Sequence, residues 1–86
     1  MQADVQTLKR AVLVAADRTA LNGLIENIEL EPAQDEWGSD FLRVKLRMKH
    51  LDGIDDLELV NLKRAIQDDV GDIDERFPSV RFSDAG

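Results

Sequence analysis

The chain lacks cysteine and tyrosine, and its 86 residues include one tryptophan and one histidine. Without cysteine, it has no disulfides, no thiolate zinc site and no thiol nucleophile. The longest uninterrupted apolar run, residues 11–16, is far shorter than the roughly 20 residues that a membrane-spanning helix needs, and residues 1–6 hold no basic segment typical of a leader peptide. These absences predict a cytoplasmic protein that does not bind membranes.

Basic residues are also scarce, because 11 Lys and Arg side chains stand against 18 Asp and Glu, for a net charge of −7. Such a charge disfavours generic binding to DNA or anionic lipid, which requires a positive surface. An apolar fraction of 43% is ordinary for a folded globular protein. The length allows one hydrophobic core, so we expect a single domain over residues 1–86.

The most informative stretch is residues 41–49, which read FLRVKLRMK. Strict alternation predicts a strand with one apolar face and one basic face. The apolar side chains are those of Leu42, Val44, Leu46 and Met48. The basic stripe consists of Arg43, Lys45, Arg47 and Lys49, while the rest of the chain holds seven basic against eighteen acidic residues. This polarity predicts a recognition surface.

Residues 4–22 predict the first helix, and the pair Asn22 and Gly23 predicts a left-handed end. The inward positions, at helical spacing, are Val5, Leu8, Val12 and Ala15. The consecutive apolar run 12–14 covers about 200° of a helix, so one sheet cannot bury it all. Either another element or a partner chain meets this helix. A strand over residues 11–15 is the second interpretation.

Residues 24–31 predict a strand because inward Ile28 and Leu30 alternate with outward polar residues. A polar connection, residues 32–40, leads to the basic-stripe strand, and the two strands should pair antiparallel. Glu29 and Glu31 then lie opposite part of the basic stripe, at roughly 0.2–1 kcal/mol per well-placed pair. The fold itself should therefore neutralise part of that stripe.

The second helix has a clear start signal. Asp55 fits the N-cap and Glu58 the third helical position of a capping box. Ile54 and Leu59 fit the two positions of a hydrophobic staple. These four positions together predict that the helix begins after Asp55.

An apolar stripe about 80° wide continues this helix, and its members are Leu59, Leu62, Ile66, Val70, Ile73 and Phe77. Pro78 ends it, and residues 79–83 predict a last strand with Arg81 pointing outward. The order α-β-β-α-β predicts an α+β two-layer sandwich, with a three-stranded mixed sheet and both helices on one face. A right-handed crossover makes the last two strands parallel, and the third strand lies beside either the first or the second.

This order resembles that of the cytoplasmic domain of cation diffusion facilitators and that of type II KH-like ribosome-binding factors. The former bind metal largely through histidines, whereas this chain has only His50. The latter rely on a basic body or a Gly-x-x-Gly loop, and neither is present. The resemblance covers most of the chain but consists only of the order of helices and strands. It therefore implies a fold, and it implies no functional residue.

The uncovered sheet face is the predicted binding surface. Its candidate residues are Phe41, Arg43, Lys45, Arg47, Lys49 and Arg81. Trp37, in the hairpin connection, is expected to close the edge of the core, with anchoring of a partner as the alternative role. Three interpretations are open: an ordinary solvated face, a site for an acidic protein or a second copy, and a site for RNA or single-stranded DNA. Nucleic-acid platforms need stacking aromatics, and this face offers only Phe41.

Acidic residues crowd the end of the second helix, namely Asp68, Asp69, Asp72, Asp74 and Glu75. They form a solubilising face, a docking surface for a basic partner, or a site in which Asp68 and Asp72 bind a divalent cation. No EF-hand spacing occurs, so the sequence assigns no metal ligand.

Catalytic signals are missing as well. His50 continues the inward alternation of residues 42–48 and is expected to be partly buried, and the serines lie in no nucleophile motif. A glycine-rich phosphate loop is absent too. We expect a non-catalytic protein-interaction or regulatory domain without a cofactor, acting through the basic face and as a homodimer. The alternatives are a nucleic-acid or ribosome-associated accessory protein and a divalent-metal-sensing domain.

Overall fold

Two helices and three strands follow one another in the predicted α-β-β-α-β order, which confirms an α+β fold. The computed structural model describes residues 2–85. The elements are α1 (Val5–Asp17), β1 (Ile25–Gln34), β2 (Asp40–Met48), α2 (Asp56–Gly71) and β3 (Phe77–Asp84), with a 3-10 turn at Asn22–Leu24 before β1. Neither helix within the described part of the chain is long and apolar enough to cross a membrane.

The sheet has the order β1-β2-β3, so the strand with the basic stripe is central. β1 pairs with β2 antiparallel, and β2 pairs with β3 parallel. The third strand therefore lies beside the second, a choice that the sequence left open. Pro78 sits in β3 at an edge of the sheet, where a residue without an N–H group is tolerated.

One face of the sheet forms one side of the core. Leu42, Val44, Leu46 and Met48 of β2 have no exposed surface, as the alternation predicted. They form one core cluster with Leu8 and Val12 of α1 and with Leu62, Ile66 and Val70 of α2. Lys45 and Arg47, which alternate with these buried residues along β2, are exposed. This burial pattern accords with both helices packing on one face and leaves the other face open.

Asp4 is the N-cap of α1, and its carboxylate accepts a hydrogen bond from the Thr7 N–H at 2.8 Å. That bond lowers the pKa of Asp4. The predicted end at residues 22–23 is wrong, because α1 stops at Asp17. Thr19 explains the early end, since its hydroxyl and its N–H both donate to the carbonyl of Ala16.

The apolar run 12–14 of α1 is divided between the core and the surface. Val12 is fully buried, whereas Leu13 and Val14 are 51% and 55% exposed. The fold therefore leaves two adjacent apolar side chains outside its core, as the width of the run indicated.

α2 begins as predicted, with Asp55 as the N-cap and its carboxylate accepting from the Leu57 N–H at 2.9 Å. The end was predicted wrongly: the helix stops at Gly71, and Phe77 opens β3 and is 63% exposed. Beyond Gly71 the chain does not return to helix, because the Asp74 carboxylate accepts from the Arg76 N–H in a local turn and Pro78 favours extended backbone at Phe77.

Candidate partner-binding face

The open face of the sheet is built of four rows that cross the strands in the order β1, β2, β3. The rows are Ala33, Phe41 and Phe77; Glu31, Arg43 and Ser79; Glu29, Lys45 and Arg81; and Asn27, Arg47 and Ser83. Successive rows are two residues apart along each strand, or roughly 7 Å. The face therefore has an aromatic end and a cationic end.

The aromatic end carries two phenylalanines that are direct cross-strand partners, Phe41 and Phe77. Phe41 is half-buried and Phe77 is 63% exposed. Sequence reasoning missed Phe77 because it assigned this residue to the inward stripe of α2. Pro78 was the signal that could have placed Phe77 on a strand.

Trp37 lies at the same end of the sheet, in the connection between β1 and β2, and it is 82% exposed. The expectation that it closes the edge of the core is wrong. The turn holds it away, because the Asp35 carboxylate accepts from the N–H groups of Trp37 and Ser39, both at 2.9 Å. Gly38 completes this turn at a φ of 79°, which favours glycine. The indole is therefore available for contact.

Arg43 links the aromatic row to the next one. Its guanidinium donates to Glu31 Oε1 at 2.9 Å, and its Cζ lies 5.7 Å from the ring centre of Phe41. Both contacts are exposed, so each stabilises the fold by at most about 1 kcal/mol. As the sequence predicted, a β1 glutamate thus neutralises one member of the basic stripe.

The cationic end is different, because its charges are not paired. Lys45, Arg47 and Arg81 are exposed, and within residues 2–85 none of them forms an ion pair. Two shallow depressions, of about 200 and 350 Å³, are both lined by Lys45 and Ser83; the acids Glu29 and Asp84 also line the first, and Arg81 also lines the second. The second depression has no acidic residue in its lining and is the part of the face best suited to hold an anionic group.

The sequence also placed Lys49 on this face and His50 toward the core. β2 ends at Met48, and Lys49 follows in a bend beyond the last row, where its N–H donates to the Leu24 carbonyl at 2.7 Å. The burial expected for His50 is wrong, because the residue is exposed, with Nδ1 3.0 Å from the Asp52 carbonyl oxygen. The alternation stops with the strand, so it no longer governs these two residues.

The face is positive although the protein is negative. Its four rows contain four basic residues and two glutamates, while the remaining chain has seven basic against sixteen acidic residues. A positive face on an otherwise negative protein orients an approaching charged partner as well as attracting it.

The acidic cluster at the end of α2 separates into residues with different roles. Asp69 forms an ion pair with Arg18 at 2.7 Å, and Asp74 is buried beside Arg76. Among residues 2–85, no group of three or more acidic, histidine or cysteine side chains is placed to hold a metal ion. Part of the cluster therefore stabilises the fold, a role that the sequence did not reveal.

Asp74 and Arg76 also bind the backbone of Ala3, just before α1, in an arrangement that we call the N-terminal clamp. The Asp74 carboxylate accepts from the backbone N–H groups of Ala3 and Arg76 and from two guanidinium nitrogens of Arg76, at 2.7–3.0 Å. Arg76 in turn donates to the Ala3 carbonyl at 3.2 Å. The guanidinium hydrogen bonds hold the pKa of Asp74 well below its ordinary value.

No protein-family model, curated protein or solved structure matches this chain.

Proposed function

We propose that this protein is a small interaction domain that binds an acidic protein surface through its open sheet face. The observation that carries the proposal is the set of three exposed cations, Lys45, Arg47 and Arg81, which have no ion-pair partner within the described residues. An acidic partner would neutralise them, while the acidic remainder of the molecule would repel the same partner and so select this face.

The aromatic end adds apolar contact to this electrostatic attraction. Trp37 and Phe77 are the most exposed aromatic side chains of the described chain, and large aromatics are the residues that most often dominate binding energy at protein interfaces. We propose that the aromatic end anchors the partner and that the cationic end selects it by charge.

The proposed role includes no catalysis. The Nδ1 atom of His50 already lies 3.0 Å from a backbone oxygen, and no serine is among the hydrogen-bond partners of its ring within residues 2–85. The exposed cations and aromatic rings of the open face are suited to binding a partner, and we assign no catalytic acid, base or nucleophile to this face.

The test is a comparison of two matched double variants. Lys45→Gln with Arg81→Gln changes the open face, and Lys63→Gln with Arg64→Gln changes the exposed surface of α2 by the same residue types and the same charge. Partners are first recovered from a native lysate with the wild-type protein, and the affinity of each identified partner is then measured for all three proteins.

We expect an acidic protein whose affinity falls roughly 5- to 30-fold in the open-face variant, at about 0.5–1 kcal/mol per lost exposed charge contact. The α2 variant should bind like the wild type. Equal loss in both variants would mean that only net charge matters, and no loss in either would remove the open face as the site.

A second candidate is binding of single-stranded nucleic acid, and one observation favours it. Phe77 lies beside Phe41, so the face has two neighbouring rings for base stacking where the sequence indicated one. A titration with a single-stranded oligonucleotide at low salt separates the two candidates. If nucleic acid binds, the oligonucleotide should shift the backbone amide signals of residues 41–47 and 77–83. The affinity should fall steeply as the salt concentration rises, and it should depend on Phe77. Absence of any shift at low salt rejects this candidate.

A further inference from the structure

A second surface, distinct from the open sheet face, lies on α1. The side chains of Arg10, Leu13, Val14 and Asp17 are all exposed, and they stand at positions i, i+3, i+4 and i+7. At about 100° per residue, Arg10 and Asp17 fall within about 20° of each other, and Leu13 and Val14 lie on either side of them. This stripe points directly away from the buried face of the helix.

We propose that the stripe is a two-fold interface at which α1 packs antiparallel against α1 of a second copy of this chain. A two-fold axis midway between Leu13 and Val14 brings each of these side chains against its own equivalent. Arg10 and Asp17 are equally distant from that midpoint. The axis therefore places Arg10 opposite Asp17 of the second copy, and it does so twice.

Charge complementarity identifies a second copy of this chain as the partner of the α1 stripe. Within one helix Arg10 and Asp17 are about 10 Å apart along the axis, too far for an ion pair, and neither forms an ion pair within residues 2–85. A parallel arrangement would set Arg10 against Arg10, so the charges permit only the antiparallel one. The stripe is complementary to itself.

The open sheet face does not offer the same match. Lys45 and Arg47 stand on its central strand. Pairing two such faces would bring two net-positive surfaces together, and like charges across an interface are repulsive. Self-association is therefore assigned to α1, and the open face stays available for a different partner.

The contact extends beyond the stripe on the side of Val14. A shallow groove of about 360 Å³ separates α1 from α2; its apolar lining is Ala11, Val14 and Ile73, and its polar lining is Thr7, Arg10, Asp69 and Asp72. A single helix pair is nevertheless small beside the roughly 1,200–2,000 Å² that stable interfaces bury. The dimer is weak, with a dissociation constant on the order of 0.1–1 mM.

A charge-swap series read by sedimentation equilibrium tests the interface. Arg10→Glu sets acid against Asp17 of the second copy, Asp17→Arg sets base against Arg10, and the double variant restores opposite charges at the wild-type net charge. Lys63→Glu, on the exposed surface of α2, is the control for the charge change of Arg10→Glu. Leu13→Gln with Val14→Gln removes the apolar centre, and circular dichroism checks that every variant folds.

We expect the wild-type mass to rise above that of the 9.7 kDa monomer as the concentration approaches about 1 mM. Each single charge variant and the apolar variant should weaken association at least fivefold, while the double charge variant and Lys63→Glu should associate like the wild type. A wild-type protein that stays monomeric overturns the proposal. Failure of the double variant to regain association, or association that persists without Leu13 and Val14, overturns it as well.

Discussion

Substitution of Asp74 by alanine should destabilise this protein more than any other change of a single charged residue. The carboxylate is fully buried and accepts four hydrogen bonds, from the Ala3 N–H and from three donors of Arg76. The guanidinium, whose side chain is only 10% exposed, would lose its partner and keep its charge. Ala3 would lose one of the two hydrogen bonds that tie it to the segment between α2 and β3.

The magnitude follows from the burial of the pair. Breaking a buried ion pair by removing one partner costs about 3–5 kcal/mol, because the remaining charge is left without compensation. A domain of this length has a total free energy of unfolding of roughly 4–13 kcal/mol at about 0.05–0.15 kcal/mol per residue. Asp74→Ala should therefore remove about a quarter or more of the stability and lower the unfolding temperature by at least about 10 °C.

Urea unfolding followed by circular dichroism measures this loss, and Asp72→Ala is the matched control. Asp72 is exposed and lies two residues away in the same acidic cluster, so its removal should change the free energy of unfolding by less than about 0.5 kcal/mol. The double variant Asp74→Ala with Arg76→Ala should lose less than the sum of the two single losses, since it leaves no unpaired charge. If Asp74→Ala costs no more than Asp72→Ala, the N-terminal clamp does not stabilise the fold and the reasoning is wrong.

Three further predictions concern single features of the fold. Because folding lowers the pKa of Asp74 below its ordinary 3.8, its stabilisation is present above that pH and is lost as the pH falls below it. The free energy of unfolding should therefore fall below about pH 4 in the wild type and less steeply in Asp74→Asn, as urea titrations at several pH values will show. Asp55→Ala removes the N-cap that accepts from the Leu57 N–H and should cost about 0.5–2 kcal/mol in thermal unfolding, while an unchanged midpoint would contradict that role. Gly53→Ala should cost about 1–2 kcal/mol because Gly53 has a φ of 81°, whereas Gly23→Ala, at a glycine without positive φ, should not; equal effects would show that backbone strain is not the cause.

The order of elements and the pairing of β1 with β2 were predictable because periodicity survives tertiary packing when it is strong. The alternation along β2 continues over nine residues, and its inward members are the fully buried centre of the core. The start of α2 was predictable for a local reason, since Asp55 caps the helix with its own side chain. Signals of this kind need no knowledge of the rest of the chain.

The ends of the helices were less predictable, because they depend on competition between hydrogen bonds. Thr19 takes the Ala16 carbonyl and ends α1 before the glycine that the sequence suggested. The segment after α2 is fixed by Asp74, whose carboxylate binds Arg76 and the distant Ala3. A contact between residues 71 positions apart produces no periodic pattern in the sequence around either residue.

Most residues of the candidate site could be predicted because the alternation that predicts the strands also shows which side chains point outward. Phe41, Arg43, Lys45, Arg47 and Arg81 all lie in the rows of the open face. Lys49 lies past the end of the strand, and Trp37 is exposed in the hairpin connection instead of closing the core. Phe77 was missed because helical spacing continued by chance past the end of α2.

The alternation of β2 has a consequence for folding as well as for binding. A slip of one residue in its pairing would turn every side chain to the opposite layer, bringing Arg43, Lys45 and Arg47 under the helices and Leu42, Val44 and Leu46 into water. Each buried cation without a partner would cost several kcal/mol, so a misaligned sheet could not persist. The residues proposed to recognise a partner thus also enforce the correct strand alignment, and neutral substitutions at these positions should broaden the set of alignments that the folding chain can sample.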